Sequence, residues 1–301
     1  MDDNTFYAVN GPLTLLNILA SLFLAFCLSC PRRGSEGLKP PLKILLGSLV
    51  FCTTIFLLSL IVDTCVWLAK RTVIQYVDPV VSFTKSTSMS ASVWLNFFYY
   101  TQIVPAQQVI FIYMKKNIKI IIYCALFVDR VFFLFNLSVN ISFAVFNSVQ
   151  DNDSSTYTST HDTAPGLYYT FLVCSYSKMI YEFLCLCIMV GSSCATVCYL
   201  RGHIKSMEQR GSPFTSPHLH NQMRVTITGI SQGILYFICA LWTLIGFFMT
   251  NLSSDFNVFY TVISFYMFGT TINLAVGQSV FRLRAADIFL QVQKAVRSLC
   301  G

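Results

Sequence analysis

Seven apolar runs, each at least as long as the roughly 20 residues an α-helix needs to cross a bilayer, constrain this chain more than any other feature. They lie at about Val9–Cys30, Lys43–Leu68, Val80–Ile103, Ile120–Phe146, Leu167–Leu200, Val225–Met249 and Phe256–Phe281. Only 11% of the 301 residues are charged and 55% are hydrophobic. A soluble domain carries about 25% charged residues to cover its surface. The chain is therefore expected to be an all-α membrane protein, one seven-helix domain spanning residues 1–301. A short tail, 282–301, follows the last run.

Loop charge sets the expected orientation. The segments after runs one, three, five and seven carry the basic residues, among them Arg32, Lys115, Lys116, Lys119, Arg224 and Arg284. The opposite loops hold only Lys70 and Arg71. By the positive-inside rule the first set is cytosolic, so the N-terminus is outside and the C-terminus inside. Met1-Asp2-Asp3 is acidic where a cleavable leader would be basic, so the first run is expected to act as its own signal anchor. Asn152-Asp-Ser154 then falls in an outer loop as a glycosylation signal. Asn251-Leu-Ser253 also lies outside, while the matching triplets at Asn136 and Asn140 sit within the fourth run. Eleven of the twelve cysteines lie within or at the edges of apolar runs, where thiols behave as small hydrophobes; Cys300 is in the tail.

The third run is unlike the others. Its first half reads Ser82, Phe83, Thr84, Lys85, Ser86, Thr87, Ser88. A helix that polar is expected at the centre of the bundle, facing other helices and a wet cavity. Its second half carries an aromatic cluster from Trp94 to Tyr100, then Thr101, Gln102 and a stop at Pro105. Val109 to Met114, followed by Lys115, Lys116 and Lys119, has the pattern of a basic amphipathic segment lying along the inner membrane face.

No metalloprotease, hydrolase or nucleotide-binding pattern occurs, so neither an enzyme nor a cofactor is expected. His203, His218 and His220 share one loop without cysteine or close acidic partners, which favours a solvated loop over a metal site. Ionisable residues inside the runs say more, because each costs about 2.5 kcal/mol or more unless paired or hydrated. Lys178 and Glu182 are four apart, share a helix face and are expected to neutralise each other. They serve either as a structural pair or as the lining of a polar cavity. Asp129 and Arg130 point to different sides of their helix and need partners elsewhere. Lys85 lies about two turns below the outer end of the third run, on its polar stretch.

Phe98-Tyr99-x-x-Gln102-Ile103, the stretch from Val109 to Lys119, the loop from His203-Ile-Lys-Ser-Met207 to Arg224, Ile234-Leu-Tyr236-Phe237 and Gly277-Gln278-Ser279 together resemble the bitter taste receptors, taste receptor type 2. The matches run from the third run to the seventh. Several positions depart from the family pattern: Gln102 replaces a lysine, Cys52 an arginine, and Tyr260 a glutamate. Val81 and Lys85 stand where the family has a tryptophan and an asparagine.

The resemblance implies a G-protein-coupled receptor in the plasma membrane. A small amphiphilic agonist would bind in an outer cavity lined by Val81, Lys85, Met89, Glu182, Tyr236 and Tyr260. Phe98, Tyr99, Gln102, Lys115, Lys116 and Arg224 would meet a heterotrimeric G protein of an inhibitory, gustducin-like class. Lys85 would disfavour cationic ligands and favour anionic or acceptor-rich ones. Membrane lipids are the other expected partner; nucleic acid is not. Two alternatives stay open. A type-1 vomeronasal receptor is disfavoured because the segments Thr72–Thr87 and Asn147–Gly166 lack the cysteines that would link them. A small seven-helix transporter would use Lys178, Glu182, Asp129 and Arg130 as a relay, but no internal repeat supports it.

Overall fold

The computed structural model describes residues 3–30, 40–68, 74–105, 109–152, 165–209, 217–248 and 256–300. These form α1 (Asp3–Ser29), α2 (Pro40–Leu68), α3 (Ile74–Ile103), α4 (Val109–Lys116), α5 (Ile118–Asn152), α6 (Pro165–Gln209), α7 (Pro217–Phe248), α8 (Phe256–Gly277) and α9 (Ser279–Cys300). By length and composition α1, α2, α6, α7 and α8 are each apolar enough to cross a membrane.

Polarity decides which helix is central. α3 packs against α2, α5, α6 and α7, and every residue from Thr84 to Val93 is buried. By contrast, α1 exposes Leu15, Leu19 and Leu22, and α5 exposes Phe127, Val128 and Phe135. Such apolar faces are far larger than water tolerates and suit hydrocarbon. In lipid, apolar contact between helices yields little net driving force, so close packing and polar ties between helices matter more.

Two apolar clusters flank α3. One surrounds its N-terminal half, with Phe56, Val81, Met89, Tyr236, Tyr260 and Tyr266. The other surrounds its C-terminal half, with Leu24, Leu46, Phe98, Ile122, Leu126 and Phe281. Small residues set the helix spacing between α3, α7 and α8. A Cβ at Gly229 would lie 2.6 Å from Asn96 Oδ1, and one at Gly277 would lie 2.7 Å from Thr228 Cγ2.

The helix ends follow local chemistry. α3 stops at Ile103, two residues before Pro105, because the residue preceding a proline is driven out of the helical region. The basic segment after it forms α4, with Lys115 and Lys116 in its last turn. The expected last span through Phe281 is corrected: regular helix breaks at Gln278, and the tail is itself the helix α9. Leu283, Phe289, Leu290 and Val296 remain exposed along α9, while Phe281 at its start is fully buried. α6 extends to Gln209, well past the length of one span.

Candidate functional site

The N-terminal half of α3 brings together charges that the sequence leaves far apart. Lys85 is 1% exposed and Glu182 on α6 is 7% exposed. Their ion pair measures 3.3 Å from Lys85 Nζ to Glu182 Oε1 and 3.4 Å to Oε2. Lys85 Nζ also donates to Thr243 Oγ1 on α7 at 3.0 Å. Ser86 donates to Glu182 Oε1 at 2.8 Å. Tyr236, fully buried on α7, donates its hydroxyl to the Glu182 backbone carbonyl at 2.9 Å. One lysine therefore ties three helices at a single point.

Lys178 and Glu182 do act on each other electrostatically, but Glu182 has a closer cation in Lys85. Lys178 donates to Ser82 on α3, and the Glu182 carboxylate is engaged by Lys85 and Ser86. Spacing of four residues puts Lys178 and Glu182 on one face, but the carboxylate turns to the ammonium arriving from α3. The other ionisable residues also find partners across helices. Asp129 accepts from Trp94 Nε1 at 2.8 Å and from the hydroxyls of Ser90 and Tyr181. Arg130 donates to Ser48 and lies 4.0 Å from the Cys52 sulfur.

The six residues expected to line a ligand cavity gather at this end of α3. Val81, Met89, Tyr236 and Tyr260 share one buried cluster beside the Lys85–Glu182 pair. Tyr260 donates its hydroxyl to Asp78 near the N-terminus of α3. Asp78 is a member of this group that the sequence alone did not single out. Its one signal was a carboxylate immediately before Pro79 at the start of a polar helix.

The opposite end of α3 carries a second polar group. Asn96 donates to Ser192 at 3.1 Å and Ser193 at 2.8 Å, which ties α3 to α6. Gln232 on α7 donates to Ser92 at 3.1 Å and to Thr270 on α8 at 2.9 Å. Asn273 on α8 donates to Gln232 Oε1 at 3.1 Å and to the Thr228 carbonyl at 2.8 Å. Ser92, Asn96, Thr228, Gln232 and Asn273 line a cleft that reaches Tyr99 and Gln278. Gln278, in the break between α8 and α9, donates to the Tyr99 hydroxyl.

The residues expected at a coupling face do not all sit alike. Phe98 is buried in the second apolar cluster. Gln102, Lys115 and Lys116 are exposed, and Arg224 is half-buried near the start of α7. Asn152 is the last residue of α5; Asn251 and the loop 153–164 lie outside the described residues. His203 is exposed on α6. Among the described residues no cluster of His, Cys, Asp or Glu is built to hold a metal, and the cysteines there are free thiols.

A search of curated proteins returned no match to this chain. The family model described as taste receptor protein (TAS2R) matches residues 5–293, nearly the whole length. The chain belongs to the TAS2R family of G-protein-coupled taste receptors.

Proposed function

We propose that this protein is a plasma-membrane bitter receptor of seven spans, in which α3 and α5 join the five strongly apolar helices. The N-terminus lies outside, Asn152 carries a glycan, and α4 and α9 lie at the cytosolic face. A small amphiphilic agonist binds beside Val81, Met89, Tyr236 and Tyr260, where apolar walls surround few polar groups.

The observation that carries this proposal is the buried Lys85–Glu182 pair with its link to Thr243. Lys85 is neutralised in place, so an acceptor-bearing agonist engages it by displacing Glu182 or Thr243. Displacement from Thr243 loosens α7 from α3. A ligand moves such an equilibrium only through its different affinity for the two states. Outward movement of α7 then opens the face formed by Phe98, Tyr99, Gln102 and Arg224 to a heterotrimeric G protein, of an inhibitory, gustducin-like class. Lys115 and Lys116 add a basic rim that steers docking.

The test is a panel of chemically diverse amphiphiles on cells expressing the receptor with a G-protein chimera and a calcium readout. Agonists are expected, and Met89→Trp, which enlarges a buried side chain in the cluster beside Lys85, should abolish their response at wild-type surface density. Ligand-evoked ion flux without G protein would contradict the proposal.

A further inference from the structure

A second polar notch lies on the other side of α3 from Tyr236 and Tyr260. It is a shallow notch between α3, α5 and α6. Its polar lining is Ser82 and Ser86 on α3, Asn136 and Asn140 on α5, and Lys178 on α6. Phe83, Phe133 and Leu137 form apolar walls.

Two groups in this notch lack what they need. Lys178 has its hydrogen bond to the Ser82 hydroxyl, a neutral partner, because Glu182 is engaged by Lys85 and Ser86. Lys85 and Lys178 thus share the one carboxylate of Glu182. Asn136, 5% exposed, donates Nδ2 to the Phe132 carbonyl at 3.0 Å, which fixes the amide so that Oδ1 is the free acceptor. That oxygen has no hydrogen-bond partner. A buried acceptor without a donor is costly, so it favours any occupant that supplies one.

The geometry points to a binding site for an anionic amphiphile whose carboxylate lies next to a hydroxyl, entered sideways from the bilayer. The carboxylate accepts from Lys178 Nζ, the hydroxyl donates to Asn136 Oδ1, and the hydrocarbon lies along Phe83, Phe133 and Leu137. A cationic amphiphile meets the Lys178 ammonium and is rejected. A plain carboxylate leaves Asn136 Oδ1 unpaired and binds less tightly. The occupant sits beside Ser86, one hydrogen bond from Glu182, so it acts on the tie between α3 and α6 without entering the agonist site. This inference rests on the membrane embedding proposed above, not on the agonist or the G protein.

The test is saturable binding of α-hydroxydodecanoate to purified receptor in phosphatidylcholine nanodiscs, a readout independent of signalling. Saturable binding is expected, with displacement by dodecanoate at higher concentration and none by dodecyltrimethylammonium. Lys178→Gln should weaken binding about tenfold or more, the scale of a lost charged hydrogen bond. Asn136→Ala should remove the preference for the hydroxylated acid over dodecanoate. Leu137→Trp, which fills the notch from its open side, should abolish binding and keeps the test decisive if Lys178→Gln fails to fold. Uptake that scales with lipid and never saturates, or equal affinity in wild type and the Leu137→Trp variant, overturns the proposal.

Discussion

Lys85 on α3 and Glu182 on α6 form an ion pair 3.3 Å apart, buried on all sides, with Thr243 on α7 as a third point of attachment. Breaking a buried pair by removing one partner costs about 3–5 kcal/mol, because the other charge is stranded. Replacing both by apolar residues of similar volume is often neutral. Glu182→Met should therefore lower thermal stability and surface expression sharply. The double variant Lys85→Met with Glu182→Met should recover most of the loss. Differential scanning fluorimetry on purified receptor reads this, and strictly additive losses would contradict the pairing.

Gly229 sets the distance between α7 and α3. A Cβ there meets Asn96 Oδ1 at 2.6 Å, and Asn96 is held by Ser192 and Ser193, so it cannot swing aside without losing those bonds. Gly229→Ala should cost about 1–3 kcal/mol, the range for overpacking a tight core. Gly269→Ala should be milder, since its nearest neighbours are the methyl ends of Leu235 at 2.9 and 3.0 Å. Melting temperatures of the two variants give the comparison, and equal losses would count against it.

Asp129 collects donors from two other helices, Ser90 and Trp94 on α3 and Tyr181 on α6. Asp129→Ala leaves the Trp94 indole without this acceptor and Ser90 and Tyr181 with only each other, 3.5 Å apart, at about 1–3 kcal/mol for each stranded group. Tyr181→Phe removes one donor and leaves the others served. Surface expression should fall strongly in the first variant and modestly in the second.

Gln278 donates to Tyr99 across the junction of α8 and α9, at the end of α3 proposed to meet the G protein. Gln278→Ala should release that end and raise agonist-free calcium signalling several-fold at matched surface density. Unchanged basal signalling would place this contact outside the switch.

How much of this was legible in the sequence depended on whether a feature was local. The central position of α3 could be read from Ser82 to Ser88, because no lipid-facing helix accepts that many polar groups. The break at Pro105 and the basic segment after it could be read for the same reason. Spacing along one helix puts Lys178 beside Glu182 but says nothing of a closer cation from another helix, and Lys85 is 97 residues away. The helical form of the segment after Gln278 is not legible in the sequence, because its mixed run of Leu283, Phe289 and Arg297 lacks the uniform hydropathy that marks a span. Asn136 and Asn140 drew attention as glycosylation triplets; only the packing of α5 against α3 and α6 turns them into the wall of a notch.

The most direct test of the proposed mechanism is agonist potency in Lys85→Ala, measured by calcium response at surface density matched to wild type. Release of Thr243 on α7 from α3 and loss of the cation predict raised basal signalling and about tenfold weaker potency for acceptor-bearing agonists. A Lys85→Ala receptor with wild-type basal signalling and unchanged potency for its best agonist would contradict the account.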